Sequence, residues 1–328
     1  MKIKRGASMS FTQPFIEEAV EKKHIFRKLD ALVDFGKLAE WVQPAKPEVG
    51  RVGYGLETGL RCILLQFYSD LSDREFENRL RYDLSYRWFT RIPLEQKTPD
   101  HCFLGRMRKA IGTNNLGKIF NHINEAARKA GWIGDIFAFV DSTTIVTKQS
   151  TWDERDRAIA HGDEKLNNHN ISQYSADPDA RFGCKGRDKY WFGYKEHVSR
   201  DMRQGLITKV AVTPANVTDG SALCRVCPLN AMVFADKGYC GKEAQLTMMA
   251  NGCHSGAIMR NNMKGKNRDK DRWLTKMRAP YEDAFSKHNH RARYRGIAKT
   301  QFQAFMEAII YNFKRLLTIG SPPLFVGA

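Results

Sequence analysis

Phe137-Ala138-Phe139-Val140-Asp141-Ser142-Thr143-Thr144 decides how this chain of 328 residues is read. Aromatic and apolar residues with strand propensity end in one carboxylate followed by three hydroxyl side chains. The pattern returns at Met232-Val233-Phe234-Ala235-Asp236-Lys237-Gly238-Tyr239. An ionised carboxylate without a partner is costly to bury. Two such acids, brought together at the ends of two strands, would repel each other unless a divalent cation lay between them. The expectation is that Asp141 and Asp236 hold magnesium for phosphoryl transfer.

Working outward, hydrophobic residues make up 42% and aromatic residues 11% of the chain, enough for a proper core. No apolar run approaches the roughly 20 residues of a membrane-spanning helix. Met1-Lys2-Ile3-Lys4-Arg5-Gly6 has charge but no apolar stretch behind it, unlike a secretory signal, and Met9 is an alternative start. Seven irregularly spaced cysteines suit a reducing cytoplasm better than a disulfide framework. Cys224-Arg225-Val226-Cys227 is a lone C-x-x-C without the second pair that a structural zinc site wants.

The net charge of +17 points to a polyanionic partner, nucleic acid or a membrane surface. Residues 260–299 hold 13 Lys and Arg against 4 Asp and Glu, so much of the surplus is concentrated in one stretch, as a defined binding surface would require.

Residues 10 to about 130 read as helical. Glu17 to Trp41 carries apolar residues at mixed three and four spacing, and Leu60 to Tyr68 is apolar enough for a central helix. Between them Pro44, Pro47, Gly50, Gly53 and Gly55 form a loop. Ser72-Asp73-Arg74-Glu75 is a capping box, and Thr98 with Pro99 reads as a second helix start. Short capped helices are compatible with a helix-turn-helix DNA reader. In that reading Arg79, Arg81, Arg87, Arg91, Arg106, Arg108 and Lys109 meet phosphates. The alternative is a solvated charged face.

From about 135 the pattern turns to strands: Phe137–Thr143, then Lys189–Val198, Leu206–Thr213 after a turn at Gly205, Met232–Tyr239 and Gly256–Met259. Residues 149–188, rich in Asp, Asn, Gly, Lys and Arg, read as a long exposed insertion loop. Lys242–Ala250 is a helix, Pro280 opens another through Glu282 and Phe285, and Gln301–Leu317 closes the chain as an amphipathic helix. The fold class is α/β, a mixed sheet flanked by helices after an all-α N-terminal domain. The expected boundaries are 1–131, 132–320 and a tail of 321–328.

Asp141, Asp236 and Glu282 form the candidate catalytic and metal-binding set. Two metals about 3.5–4 Å apart can serve the attacking and the leaving oxygen of one phosphorus. Magnesium takes oxygen ligands and keeps water positions open. Taken alone, each acid is a surface or capping carboxylate; Asp141 and Asp236 stand out because each interrupts an apolar strand.

With these blocks in hand the chain resembles the bacterial insertion-sequence transposases of family five. Val140-Asp141-Ser142-Thr143, Phe192-Gly193-Tyr194-Lys195-Glu196-His197, Thr213-Pro214-Ala215-Asn216-Val217-Thr218-Asp219 and Ala235-Asp236-Lys237-Gly238-Tyr239 occur in the family's order. Tyr281-Glu282-Asp283-Ala284-Phe285, followed by Arg293-Tyr294-Arg295-Gly296-Ile297-Ala298-Lys299, resembles its glutamate region. Leu71 to Glu75 and Thr98-Pro99-Asp100 resemble its N-terminal domain. The similarity runs over roughly residues 10–318.

The resemblance implies an RNase H-like domain of the retroviral-integrase superfamily, with a DDE triad of Asp141, Asp236 and Glu282. It also implies magnesium (or manganese), two ions per site, and a protein that cleaves transposon ends and joins the 3′-hydroxyl to target DNA. A homodimer on DNA and a bacterial cytoplasmic location follow from the same likeness. One departure is that many relatives carry a lysine seven positions after the glutamate, where this chain has Asn289, with Lys287 five positions after. Glu243 and Asp283 are the fallback acids.

Lys195 and His197 share a strand face; they are expected to contact the scissile-strand phosphate, or else form a polar cross-strand pair. Lys237, Arg291, Arg293, Arg295 and Lys299 are the other expected DNA contacts, against a solvated flank. Trp191, Tyr194 and Tyr239 are read as core aromatics, the alternative being stacking on an unpaired base. Two other functions fit the same residues. One is an RNase H-like nuclease or resolvase that does not join strands; the other is a domesticated, inactive transposase that only binds DNA.

Overall fold

Gln13–Ala19, Ile25–Leu32 and Phe35–Trp41 form helices α1, α2 and α3, which bury Ile16, Phe26, Leu29, Leu32, Phe35 and Leu38. In this computed structural model the described residues are 11–42, 53–147, 151–186, 188–285 and 290–324. Much of the expected loop at Pro44–Gly55, like the Met9 start, lies outside them. The chain divides into two compact units, one of Met1–Ile119 with Leu316–Ala328 and one of Phe120–Arg315.

In the first unit α4 (Leu56–Tyr68) is buried along nearly its whole length, as its apolar run predicts. Its Arg61 is buried with it. The guanidinium donates to Asp30 at 2.6 Å and Glu57 at 2.9 Å and lies over the Phe35 ring, so the charge is fully partnered. Helix α5 (Asp73–Tyr82) starts at the capping box: Ser72 accepts from Glu75 N, and Glu75 accepts from Ser72 N. Helix α6 (Leu84–Thr90) follows after Asp83.

Helix α7 (His101–Lys129) starts two residues later than Thr98 would place it. Asp100, a stronger cap, accepts from Phe103 N at 2.9 Å. Gly112, at φ 69°, kinks α7. Several of the arginines read as phosphate contacts are committed elsewhere. Arg87 donates to the Pro93 and Gln96 carbonyls, Arg108 pairs with Asp73 at 2.6 Å, and Arg91 with Asp30 at 3.2 Å.

In the second unit β1 (Phe137–Val146) is followed by α8 (Trp152–Ala160), α9 (Ile171–Tyr174) and β2 (Arg181–Lys185). The expected exposed loop over 149–188 is therefore folded along most of its length. Polar composition hid its anchors. Ala158, Ile171 and Ala180 are fully buried. Asp177 accepts from the Tyr194 hydroxyl at 2.5 Å and from Gly296 N at 3.1 Å. Asn168 brackets the Phe182 backbone with both ends of its amide, at 2.7 and 3.0 Å.

Strand β3 (Lys189–Asp201) and β4 (Ile207–Pro214) form the expected hairpin through Gly205, whose φ of 72° suits glycine. After them come α10 (Asp219–Ala222), β5 (Met232–Ala235), α11 (Lys242–Ala250), β6 (His254–Ala257), α12 (Arg268–Arg278) and α13 (Ile297–Thr318). The sheet runs β2-β3-β1-β5-β6, with β4 on β3. It is mixed: β1 pairs with β3 antiparallel and with β5 parallel.

One face carries Phe139 and Phe234, packed with Met202, Ile258, Leu274 and Tyr281. The other carries Val140, Val233 and Ala235, packed with Leu223, Val226, Tyr239, Ala244 and Met248. At the open edge of β4, Gln301 of α13 accepts from Val212 N at 2.7 Å and donates to the Val210 carbonyl at 3.4 Å. Helix α12 went unread in the sequence because its eleven residues are mostly charged. Only Leu274 and a few polar side chains turn inward. Among the described residues no helix is long and apolar enough to cross a membrane.

Candidate active site

Strand register brings the first two acids together. Phe139 of β1 lies beside Phe234 of β5 in a parallel pair, so two residues further along Asp141 lies beside Asp236. Side chains two apart on a strand share a face, and both acids therefore lie on the Phe139 side. Asp236 just outruns β5 with extended backbone (φ −79°, ψ −175°), and a 3-10 turn, Lys237–Tyr239, begins there. Each carboxylate is steadied by one backbone donor: Ser142 N to Asp141 at 2.8 Å, Gly238 N to Asp236 at 2.7 Å.

The environment presses on Asp141. Its carboxyl is raised from the ordinary value of 3.8 to about 6, chiefly by burial, with the negative charges of Asp236 and Asp219 adding to the rise. The Ser142 N–H and the Arg278 guanidinium pull the other way. Tyr239, fully buried behind the pair, has its hydroxyl pushed well above the usual tyrosine range, by burial first and then by Asp219, Asp141 and Asp236. Asp236 and Asp219 are thus both near enough to Asp141 to act on it by charge.

Glu282 stands apart from them. It belongs to a 3-10 turn, Ala279–Phe285, that continues α12, rather than to a helix opened by Pro280. Its side chain is 54% exposed and lies 3.7 Å from Arg278 Nη2, one helical turn back. Arg278 itself is buried, stacked on the Phe139 ring, and close enough to act on Asp141. The sequence reading missed Arg278, although its position four residues before Glu282 is a helical pairing distance. Tyr281 stacks against Phe139 and so fixes this turn to the face that carries Asp141.

The sequence places both acids at strand ends, but β1 runs on to Val146 and leaves Asp141 midway along it, beside the end of β5. Oxygen-only donors on these adjacent strands, one of them buried against its inclination, suit a hard divalent cation. The Asp141–Asp236 pair fits such an ion on those grounds. Among the described residues no group of three His, Cys, Asp or Glu side chains is spaced to hold a metal, so Glu282 is not brought into a ligand set with the other two. Of the fallback acids, Glu243 lies in the first turn of α11 and accepts from Ser221 at 2.6 Å. The side chain of Asp283, like Lys287 and Asn289, falls outside the described residues.

The remaining expected contacts divide by exposure. Lys237, Arg291, Arg295 and Lys299 are exposed, and Arg293 is partly so. In the basic stretch Arg260, Lys264, Arg268, Lys270, Arg272 and Lys276 are also exposed, whereas Lys266 pairs with Asp271 at 3.2 Å. Lys195 lies deep, donating to Asp219 at 3.1 Å and to the Val217 carbonyl at 3.0 Å. His197 is fully buried against Thr213 at 2.9 Å, and burial lowers its imidazole to about 4, leaving it neutral at physiological pH. A phosphate has no surface of His197 to meet in this arrangement. Tyr194 and Tyr239 are core aromatics, and Trp191, half-buried, donates to the Tyr194 carbonyl at 3.2 Å. Cys224 is exposed and Cys227 buried, its thiol pushed up to about 12 mainly by burial.

The mixed sheet thus sets an acid midway along β1 beside one just past the end of β5. Residues 132–313 match the family described as Transposase DDE domain, more than half the chain, and residues 14–110 match Transposase domain (DUF772). The chain belongs to the DDE transposases of insertion sequences. The family assigns it an RNase H-like fold, an enzyme activity of the polynucleotidyl transferase and nuclease class, DNA as partner, and a general use of divalent metals. No solved structure matched the chain.

Proposed function

We propose that the protein binds the terminal inverted repeats of a transposon, cuts the ends to leave 3′-hydroxyls, and joins these to target DNA. The observation that carries this reading is the side-by-side placement of Asp141, midway along β1, and Asp236, just past the end of the parallel strand β5. Those two residues are the proposed holders of magnesium, with Glu282 as the third acid and two ions per site. When bound, divalent cations activate the attacking oxygen and stabilise the leaving oxygen on one phosphorus.

The chain's own groups do the positioning. Ser142 N and Gly238 N hold one oxygen of each aspartate, leaving the other to hold a cation. Lys237, exposed next to Asp236, and Arg291, Arg293, Arg295 and Lys299 are proposed to track the DNA backbone. Lys195 and His197 are proposed to support the site from within the sheet. Water and the 3′-hydroxyl are the nucleophiles, so no side chain need attack. Joining two ends in one event calls for two active sites, hence a homodimer on DNA.

Incubation of the purified protein with transposon-end DNA and magnesium tests the reading. Joined products are expected; cleaved products alone would indicate a nuclease, and a shifted band without chemistry a binding protein. Asp236→Ala is expected to abolish cleavage while DNA binding survives, and retained cleavage would refute its role. Affinity for end DNA should fall steeply with salt, by roughly 10³-fold or more between 50 and 200 mM if six or more phosphates are contacted. A flat response would count against the basic stretch as the footprint.

A further inference from the structure

Asp219 opens α10, and its carboxylate reaches the segments that carry Asp141 and Asp236. Its Oδ1 accepts from Ser142 Oγ at 2.9 Å and from Lys195 Nζ at 3.1 Å. Ser142 is the residue whose N–H holds Asp141. Oδ2 faces Gly238 in the turn that holds Asp236: a Cβ placed on Gly238 would lie 3.2 Å from Asp219 Oδ2 and 2.9 Å from Asp236 Oδ1. Asp219 and Asp236 thus converge over one glycine, and any larger residue would push them apart.

The pairing with Lys195 is enclosed, with side chains 14% and 26% exposed. In so enclosed a place an ammonium cannot rely on water to offset its charge. Asp219 receives it, and Asp236, which meets Asp219 over Gly238, is a negative charge close to the same place.

The geometry points to Asp219 as a positioning residue: it holds the Lys195 ammonium away from the Asp141–Asp236 pair and adds its own negative charge beside them, keeping the pair open to a divalent cation. The assignment rests on the proposed role of that pair as cation holders. It gives Lys195 a role opposite to a simple phosphate contact, because the amine is restrained by Asp219.

The two partners therefore act with opposite signs. In Asp219→Asn a negative charge is lost and the ammonium is released toward the pair, so cation binding weakens. In Lys195→Met only the positive charge is lost, so binding strengthens. The double variant removes both and returns close to the parent. Each single change should move Mn²⁺ affinity by about tenfold or more, as expected for a unit charge a few ångströms away in a partly buried site.

The test titrates Mn²⁺ into the full-length protein without DNA and reads the unbound ion by electron paramagnetic resonance. Asp141→Asn serves as the reference for loss of the site, and thermal melting in chelator checks folding. Opposite shifts in the two singles, cancelling in the double, support the assignment; a merely structural role would lower the melting temperatures and leave affinity alone. Should Asp219→Asn not fold, Lys195→Met carries the test by its rise in affinity, with Asp219→Glu expected to stay near the parent. Unchanged or weakened binding in folded Lys195→Met, with Asp141→Asn still abolishing it, overturns this assignment alone. Mn²⁺ binding that Asp141→Asn does not reduce overturns the cation-holding role of the pair, and this assignment with it.

Discussion

Replacing Asp141 by asparagine is expected to abolish cleavage and, in chelator at neutral pH, to raise the melting temperature. The cause is the same in both cases. The parent protein must hold an ionised carboxylate where burial and two neighbouring aspartates disfavour it, raising that group to about 6. The unfolded chain ionises it at its ordinary value. The acid's contribution to stability is therefore complete below about pH 4 and is lost as the pH rises through about 6.

Above that window the carboxylate costs the fold about 1–3 kcal/mol, the scale of a two-unit rise in a partly buried group. Asparagine keeps the shape and removes the charge. The variant should then melt several degrees higher at pH 7.5, and no higher at pH 4. Magnesium should narrow the gap by stabilising the parent alone. Melting curves at the two pH values, with and without magnesium, measure this; a variant less stable than the parent at pH 7.5 would contradict the account. Trading stability for a functional charge is common at catalytic sites.

The second large effect is expected at Gly193. It lies in β3 two residues before Lys195, at φ 154°, and a Cβ there would meet the Ile145 carbonyl oxygen at 2.2 Å and Thr147 N at 3.0 Å. Both are backbone of the β1 end, so no side-chain rotation can make room. Gly193→Ala should destabilise the catalytic unit by about 4 kcal/mol or more, the range of the most damaging single substitutions. The expected readout is loss of soluble protein or a fall in melting temperature of 10 °C or so. Gly183→Ala, in β2, meets Trp191, whose ring can shift, but also the Ala215 backbone carbonyl oxygen at 2.8 Å, and gives a milder comparison. Parent-like stability of Gly193→Ala would show that the strands are not locked at this point.

What could be read from sequence follows what local pattern encodes. The hairpin at Gly205, the capping box at Ser72 and helix α11 are each fixed by a few adjacent residues and lie where the pattern places them, whereas the strands keep their places but not their ends: β1 runs on to Val146, β5 stops at Ala235 and β6 begins at His254. The pairing of Asp141 with Asp236 was legible only as two similar stretches; it takes the β1–β5 register to make them neighbours. Helix α12 and the segment 151–186 were not legible, because their stability comes from scattered buried positions and from polar side chains such as Asp177 and Asn168 that serve distant backbone. Asp219 sat in plain view within Thr213–Asp219, yet nothing local says that its partners are Ser142 and Lys195. Buried arginines are the same case in reverse: Arg87 and Arg278 look like DNA contacts in composition and lie inside the protein.

The side-chain amides of Gln301 and Asn168 close the β4 and β2 margins by imitating a passing peptide. Borders occupied in this way leave fewer free backbone groups on those two strands for a stray strand to pair with.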